Sequence, residues 1–301
     1  MTHDALAPIG IIAHYNLLER LDAGGVGELY RARDTKHGRT VAVRLLPDDF
    51  TADRQNLLER VRAVQVLSHP NAITVFDAGE HHGRVYLAFE FLKGRSLRLE
   101  MAGRAVNVRR AVDMTIQIAD AIAEAHAAGY VHGGLSPDSI IITAKGNAKI
   151  PAFDLAVQTG LECIDGQVRL PDYDAPEEAR GHTPGERSDV YSVGAILYEM
   201  LTMRRPMHRG AAAPSAANPR VTRALDAVVL RAVSPNPDSR YQSVATLAAE
   251  LRSMASSLEL DEVEEERNQQ PQPSTSIGRV ELTTLVIVAA VAAILWWVMR
   301  T

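Results

Sequence analysis

The stretch "YVHGGLSPDSIIIT" at residues 130–143 decides how this chain is read. It sets a Gly133–Gly134 pair between His132 and Leu135, followed by Pro137 and Ile140. Outward from it, the two parts of the chain have different periodicities. Residues 15–43 alternate short apolar stretches with glycine-rich turns, the pattern of strands and hairpins. Residues 52–67 repeat at helical spacing and stop at the turn signal "SHPNA". Residues 73–76 and 85–91 read as further strands. From Val108 the pattern is helical, with Val112, Ile116, Ala119, Ile122 and His126 on one face. Later helices are expected over residues 189–203, 223–232 and 244–253. A strand-rich first third followed by a helical remainder predicts an α+β arrangement of two lobes.

With 301 residues, 46% of them hydrophobic, the chain can bury one large core or two lobes. A net charge of −5 with dispersed Lys and Arg leaves no electrostatic footprint for nucleic acid. The single cysteine, Cys163, excludes an internal disulfide and suits a reducing compartment. No basic region followed by a long apolar run opens the sequence, so no secretory signal is expected.

The far end differs. Residues 282–299, "LTTLVIVAAVAAILWWVM", are uncharged and apolar, and as a helix would span ~27 Å, close to a bilayer core. Trp296 and Trp297 stand where an interfacial aromatic belt would lie, and Arg300 follows. The expected organisation is an N-terminal extension over 1–14, a main domain over 15–255 (lobes 15–92 and 93–255), a linker over 256–280 and a transmembrane helix over 281–299. The linker is acidic ("DEVEEER"), then rich in Gln, Pro and Ser, a composition that cannot build a core. Such a chain would be a single-pass protein of the inner, cytoplasmic membrane with its main domain in the cytoplasm.

Six landmarks in order then carry a resemblance. "LDAGGVGELYRARD" at 21–34 is similar to a glycine-rich phosphate loop, and "VAVR" at 41–44 to the strand that bears a phosphate-binding Lys. "VYLAFEFLKGRSL" at 85–97 resembles a gatekeeper and hinge, with Phe89 as gatekeeper and Glu90–Leu92 as hinge. Residues 130–143 resemble a catalytic loop, "AKIPAFDLA" at 148–156 the D-F-G segment, and "YDAPEEARG" at 173–181 the A-P-E segment, followed by "RSDVYSVGAILYEMLT". Over about residues 15–255 the chain resembles the eukaryotic-like serine/threonine protein kinases of bacteria. The resemblance implies a β-rich N-lobe, a helical C-lobe and a nucleotide cleft lined by Asp22, Gly24, Gly27, Leu29, Ala42, Arg44, Phe89, Glu90, Leu92 and Ile141.

By the same resemblance the supporting parts are intact. Glu177 and Arg240 match a carboxylate–guanidinium pair that locks the A-P-E segment, chemistry suited to a bidentate fork. Asp189 matches the residue that accepts backbone hydrogen bonds from the catalytic loop, and His132 and Phe153 match a hydrophobic spine. The chemical parts are replaced. The strand Lys is Arg44, a planar fork in place of a compact ammonium. Its helical Glu partner aligns with Arg60, while Glu59 is one residue off and faces elsewhere. Gly134 stands for the proton-accepting Asp, Ser136 for the Lys that steadies the γ-phosphate, Ser139 for the second metal ligand and Ala152 for the magnesium-binding Asp. Asp22 replaces the first glycine of the phosphate loop. A carboxylate about 4 Å from a phosphate charge, at an effective dielectric of ~20, adds roughly 4 kcal/mol of repulsion.

Regulation and docking are altered as well. Gly133 replaces the Arg that would hold an activation-loop phosphate. Between Leu155 and Asp174 only Thr159 bears a hydroxyl of the right kind, and Leu170 replaces the Thr expected before the A-P-E segment. "MHRGAAAPSAANPR" after Pro206 is too short to rebuild the family's substrate-docking helix. The reading expected from these residues is a pseudokinase acting as a signalling scaffold or binding module. It would have no required cofactor, weak or absent ATP and magnesium binding, no metal site, and protein partners that include an active kinase. Two alternatives are a weak phosphotransferase using Arg44, Asp154 and Asp138, and a metal-free nucleotide sensor using Ala42 and the hinge. His81 and His82 read as a surface hairpin and Cys163 as an ordinary thiol.

Overall fold

The computed structural model describes residues 8–22, 27–47, 54–65, 67–150 and 173–269. The chain divides into two units, 1–256 and 257–301. Short strands dominate the first ninety residues: β1 (Gly10–Ile12), β2 (Tyr15–Asp22), β3 (Glu28–Asp34), β4 (Arg39–Leu45), β5 (Val75–His81) and β6 (Arg84–Glu90). They form one antiparallel sheet in the order β1-β2-β3-β4-β6-β5. β1 begins ahead of residue 15, so the sheet reaches into the expected N-terminal extension. Three residues give too little alternation to betray a strand by sequence.

The sheet is filled on two sides because its residues alternate. Tyr15, Leu17, Ala32, Val41, Val43, Leu45, Tyr86 and Ala88 make one core cluster. Leu46, Leu57, Val61, Leu67, Val75, Ala78, Val85 and Leu87 make the other, which Ala125 of the helical lobe joins. Helix α1 (Arg54–Val64) contributes Leu57 and Val61 and packs beside β5.

A small antiparallel sheet of β7 (Gly94–Ser96), β8 (Ile141–Thr143) and β9 (Ala148–Lys149) joins the lobes. The helical lobe then comprises α2 (Leu97–Glu100), α3 (Val108–Ala127), α4 (Glu186–Thr202), α5 (Arg223–Ala232) and α6 (Val244–Gln269). Asn107 and Thr222 cap α3 and α5 by accepting backbone N–H bonds from Arg110 and Leu225.

Helix α4 is the axis of this lobe. Every residue from Ser188 to Thr202 is buried, the expected state of a helix apolar on all sides. It packs against α3 and α5. A Cβ on Gly194 would lie 2.6 Å from Ala232 Cβ, so glycine sets the closeness of the α4–α5 crossing.

The last helix runs well past residue 253, through the acidic stretch to Gln269. Glu, Leu and Arg are strong helix formers, and no Pro or Gly interrupts them before Gln269. Part of the expected linker is therefore helical. Among the described residues no helix is long and apolar enough to cross a membrane; the predicted span 281–299 lies outside them.

Gly194→Ala should destabilise the chain by about 1–3 kcal/mol through overpacking. Ala232→Gly in the same chain should recover much of the loss, because it removes the opposing methyl. Denaturant melts of the four members of the cycle measure this coupling.

Candidate functional site

The cleft region is built from β3, β4, β6 and the loop between α3 and β8. Register pairs Leu29 with Arg44, and Ala42 with Phe89, which brings the glycine-loop strand, the Arg44 strand and the gatekeeper side by side. Ala42 is buried, Arg44 half-buried, and Phe89 packs on the cluster that includes Leu57 and Leu87. Gly27 has a φ of +85°, and a Cβ there would lie 2.0 Å from the Leu45 carbonyl oxygen, so only glycine fits. Asp22 closes β2 opposite Leu29. Gly24, Ala152, Phe153, Asp154, Thr159, Cys163 and Leu170 lie outside the described residues.

At the hinge the Glu90 side chain accepts a 2.9 Å hydrogen bond from Lys149 Nζ, which also donates to the Ala72 carbonyl at 3.2 Å. Leu92 is half-buried beyond it, and Ile141 in β8 pairs with Ser96 and Lys149. On α1, Glu59 is exposed and accepts a hydrogen bond from Gln55 at 3.0 Å, on the helix's own surface.

The loop over 132–139 is held from beneath. Asp189, in the first turn of α4, accepts hydrogen bonds from the His132 N–H at 2.8 Å and the Gly133 N–H at 2.9 Å. His126 Nε2 lies 2.7 Å from the same carboxylate, which places the ring proton on that nitrogen, since an ionised carboxylate only accepts. The sequence marked His126 as part of an apolar face; its polar edge is what α3 contributes here. Gly133 has a φ of +67°, whereas Gly134 is not among the glycines with positive φ. The first glycine answers a backbone requirement and the second does not.

Ser139 and Asp138 of the loop both have local partners. Ser139 Oγ donates to the Ser136 carbonyl at 2.9 Å. Asp138 accepts from Arg98 Nε at 3.3 Å and Nη2 at 3.2 Å. The same guanidinium donates to Glu199 at 2.9 Å and to the Tyr173 hydroxyl at 2.6 Å, and that hydroxyl donates to Glu199. Burial and the Glu199 carboxylate push the Tyr173 phenol up to about 12. Arg98 thus ties together α2, the loop, the A-P-E segment and α4. Sequence reasoning missed this cluster although Tyr173 and Glu199 both lie in the quoted landmarks.

The A-P-E segment is clamped by a second pair. Arg240 is fully buried and donates to both oxygens of Glu177, each at 2.7 Å. It also donates to the carbonyls of Ser234 at 2.7 Å and Arg187 at 2.8 Å, and faces the Tyr191 ring at 5.0 Å. Burial raises the Glu177 carboxyl, but the Arg240 bonds and charge outweigh it and hold the carboxyl below its ordinary value.

Arg240→Met should cost about 3–5 kcal/mol, the loss expected when one partner of a buried pair is removed. A carboxyl depressed on folding contributes stability above its unfolded value, 4.5, and loses that contribution as pH falls through the folded value. Acid melts of Glu177→Gln should therefore lack the steepest loss below about pH 4.5 that the parent shows. Gly133→Ala should cost about 1–2 kcal/mol of left-handed strain, and Gly134→Ala clearly less. Thermal melts of the two variants separate the roles of the adjacent glycines.

Comparison with known proteins agrees with this geometry. Residues 15–267 match the family described as "Protein kinase domain". Serine/threonine-protein kinase PrkC of Bacillus subtilis is 30% identical over 265 residues, covering 80% of this chain and 40% of PrkC. Serine/threonine-protein kinase PknB of Mycolicibacterium smegmatis is 34% identical over 263 residues, covering 79% of this chain and 42% of PknB. The chain therefore spans about two-fifths of the length of these relatives. The crystal structure of the Mycobacterium tuberculosis PknI kinase domain superposes with a TM-score of 0.68 at 24% identity, covering 83% of this chain and 99% of that one, a likeness of fold. This chain belongs to the protein kinase domain family, with its β-rich N-lobe and helical C-lobe.

Proposed function

We propose that this member of the family is a pseudokinase, a kinase fold kept as a scaffold or binding module for a protein partner. Its partner is expected to be another kinase that is active, and residues 281–299 are expected to tether it to the cytoplasmic membrane. The observation that carries the reading is the loop over 132–139, fixed in place by Asp189 yet bearing no side chain ready for phosphate chemistry. Gly134 offers no proton acceptor. The Ser139 hydroxyl is engaged by the Ser136 carbonyl and the Asp138 carboxylate by Arg98. Among the described residues, this donor set does not fit a magnesium ion, which takes carboxylates and water in near-octahedral geometry.

Magnitudes favour inactivity over mere slowness. Loss of a general base alone removes roughly 10²–10⁴ in rate. Phosphoryl transfer, however, depends chiefly on positioning and on metal-borne charge stabilisation. Replacement of both metal ligands and of the loop Lys leaves the triphosphate charge uncompensated, and Arg44 alone cannot supply what two cations and a Lys would. These losses act on one unit and are not additive.

The named activity of PrkC and PknB supports a competing reading, residual phosphotransfer through Arg44, Asp154 and Asp138. For Asp138 to take part, its Arg98 contacts would have to break. Metal-free nucleotide sensing rests on the packing of Ala42 beside Phe89 and on the hinge at Glu90, with adenosine accepted and phosphates refused.

Calorimetry and thermal melts of the purified full chain, with ATP, adenosine and magnesium in turn, separate the three. The pseudokinase reading expects no heat and no melting shift with ATP and magnesium, and no label incorporated from γ-labelled ATP. A shift of several degrees with ATP and magnesium that disappears in Arg44→Ala would overturn it. Binding of adenosine with refusal of ATP would move the reading to sensing.

A further inference from the structure

Away from the cleft, two tight turns at one end of the six-stranded sheet bring three metal-ligating side chains together. The pairing of Tyr15 with Asp34 sets the β1–β2 turn beside the β3–β4 turn. The turns are pinned to each other: the Thr35 N–H and hydroxyl both donate to the His14 carbonyl, at 3.1 and 2.7 Å. His14 thus projects from one turn and His37 from the other, with the Asp34 carboxylate between them.

Asp34 is held like an oriented ligand. Its side chain is fully buried. One oxygen accepts the Lys36 and His37 backbone N–H groups at 3.1 and 3.0 Å. The other accepts Arg39 Nε at 3.0 Å and lies 2.9 Å from His37 Nδ1. Burial pushes this carboxyl up, but the His37 and Arg39 hydrogen bonds prevail and hold it at about 2, so it stays ionised. His14 Nε2 is 3.5 Å from the first oxygen, is itself shielded from solvent, and has no hydrogen-bond partner among the described residues. The three ligand atoms all lie within 4.8 Å of one another.

We propose that His14, Asp34 and His37 bind one divalent transition-metal ion, zinc foremost. Two imidazole nitrogens and one carboxylate oxygen, with a fourth position open to water, are a donor set that zinc accepts. Zinc–ligand bonds of about 2.0–2.2 Å in a tetrahedron place neighbouring ligand atoms roughly 3.3 Å apart. His37 Nδ1 lies 2.9 Å from one Asp34 oxygen and His14 Nε2 3.5 Å from the other, so an ion on a single oxygen would draw the farther imidazole inward, from ligand atoms that already lie within 4.8 Å of one another. The ion takes the place of the proton between His37 Nδ1 and Asp34, and gives the idle His14 nitrogen a partner. Arg39 and the two backbone N–H groups stay as outer partners that fix the carboxylate. The Arg39 charge opposes the ion and weakens its binding. Half of His37 is exposed, which gives the ion a path in. The bound ion would tie the β1–β2 turn to the β3–β4 turn and stiffen that end of the sheet.

The test is a zinc titration of the purified full chain, stripped with chelator and free of any histidine tag, followed by calorimetry and thermal melts. One equivalent should bind and raise the melting temperature, and cobalt in place of zinc should give the visible absorption of a tetrahedral site. His14→Ala and His37→Ala should each weaken binding at least ~10-fold, since each removes one of three protein ligands. His14→Ala keeps every hydrogen bond of Asp34 and should melt like the parent without metal, whereas His37→Ala loses the 2.9 Å contact to Asp34 and is compared with its own metal-free melt. His81→Ala with His82→Ala, on a separate hairpin, should change nothing. No zinc heat at millimolar concentration, or binding that survives both His14→Ala and His37→Ala, would overturn the site and leave Asp34 as a hairpin brace only.

Discussion

The Asp189 carboxylate is the contact on which the geometry of the candidate site depends. It sits in the first turn of a helix whose following residues are all buried, so its position is fixed by the packing of the whole C-lobe. From there it accepts two backbone N–H groups of the loop and faces His126. A buried carboxylate with too few donors would cost several kcal/mol in desolvation, and the loop backbone satisfies it. The loop and the helix therefore hold each other: the loop cannot leave without uncovering the charge. This constraint refers only to main-chain atoms of the loop. Side chains at 134 and 136 can change while these bonds hold the loop, whereas the positive φ at 133 keeps that position to glycine.

That independence would let a kinase frame persist without kinase chemistry, as the proposed function requires. The interactions that hold the lobe are the Asp189 bonds, the Glu177–Arg240 fork and the burial of α4, and none uses a phosphate-handling residue. Catalytic sites often carry strained backbone and crowded charge that stability alone would not select. At residue 133 the backbone has a φ of +67°, a conformation that glycine adopts without strain and other residues do not. At residue 134 no such requirement exists, so its backbone would accept a side chain without this strain.

Much of the fold was legible because each element carried its own signal. Helix α5 was predicted at its observed bounds, since Thr222 supplies a cap and the apolar positions repeat at helical spacing. β1 was not, because three residues show no period, and the far end of α6 was not, because an acidic polar run reads as linker although its residues favour helix. The lining of the site was legible only through the family landmarks, which fix order along the chain. Contacts between distant residues were not. Arg98 meets Tyr173 75 residues away and Glu199 101 residues away, and nothing in the local pattern of any of the three pairs them. The His14–Asp34–His37 cluster was hidden for a related reason: its ligands become neighbours through strand register across two turns, not through a spacing motif.

The Arg98 cluster also bears on what the surface can do. In it one guanidinium joins α2, the loop, the A-P-E segment and α4, and it faces two carboxylates and a phenol hydroxyl. Such a charge, half shielded, is attracted to Glu199 more strongly than an exposed pair would be. It offsets one of the two negative charges of Asp138 and the buried Glu199, so this face offers an incoming cationic chain less negative charge than the two carboxylates alone would present. A binding module does not need that charge, whereas an enzyme that recruited basic peptides through those carboxylates would have to displace Arg98 first. The partial offset of charge by Arg98 and the absence of a proton acceptor at Gly134 are set by different residues on different elements. Both are what a fold retained for its surface, and not for phosphate transfer, would be expected to keep.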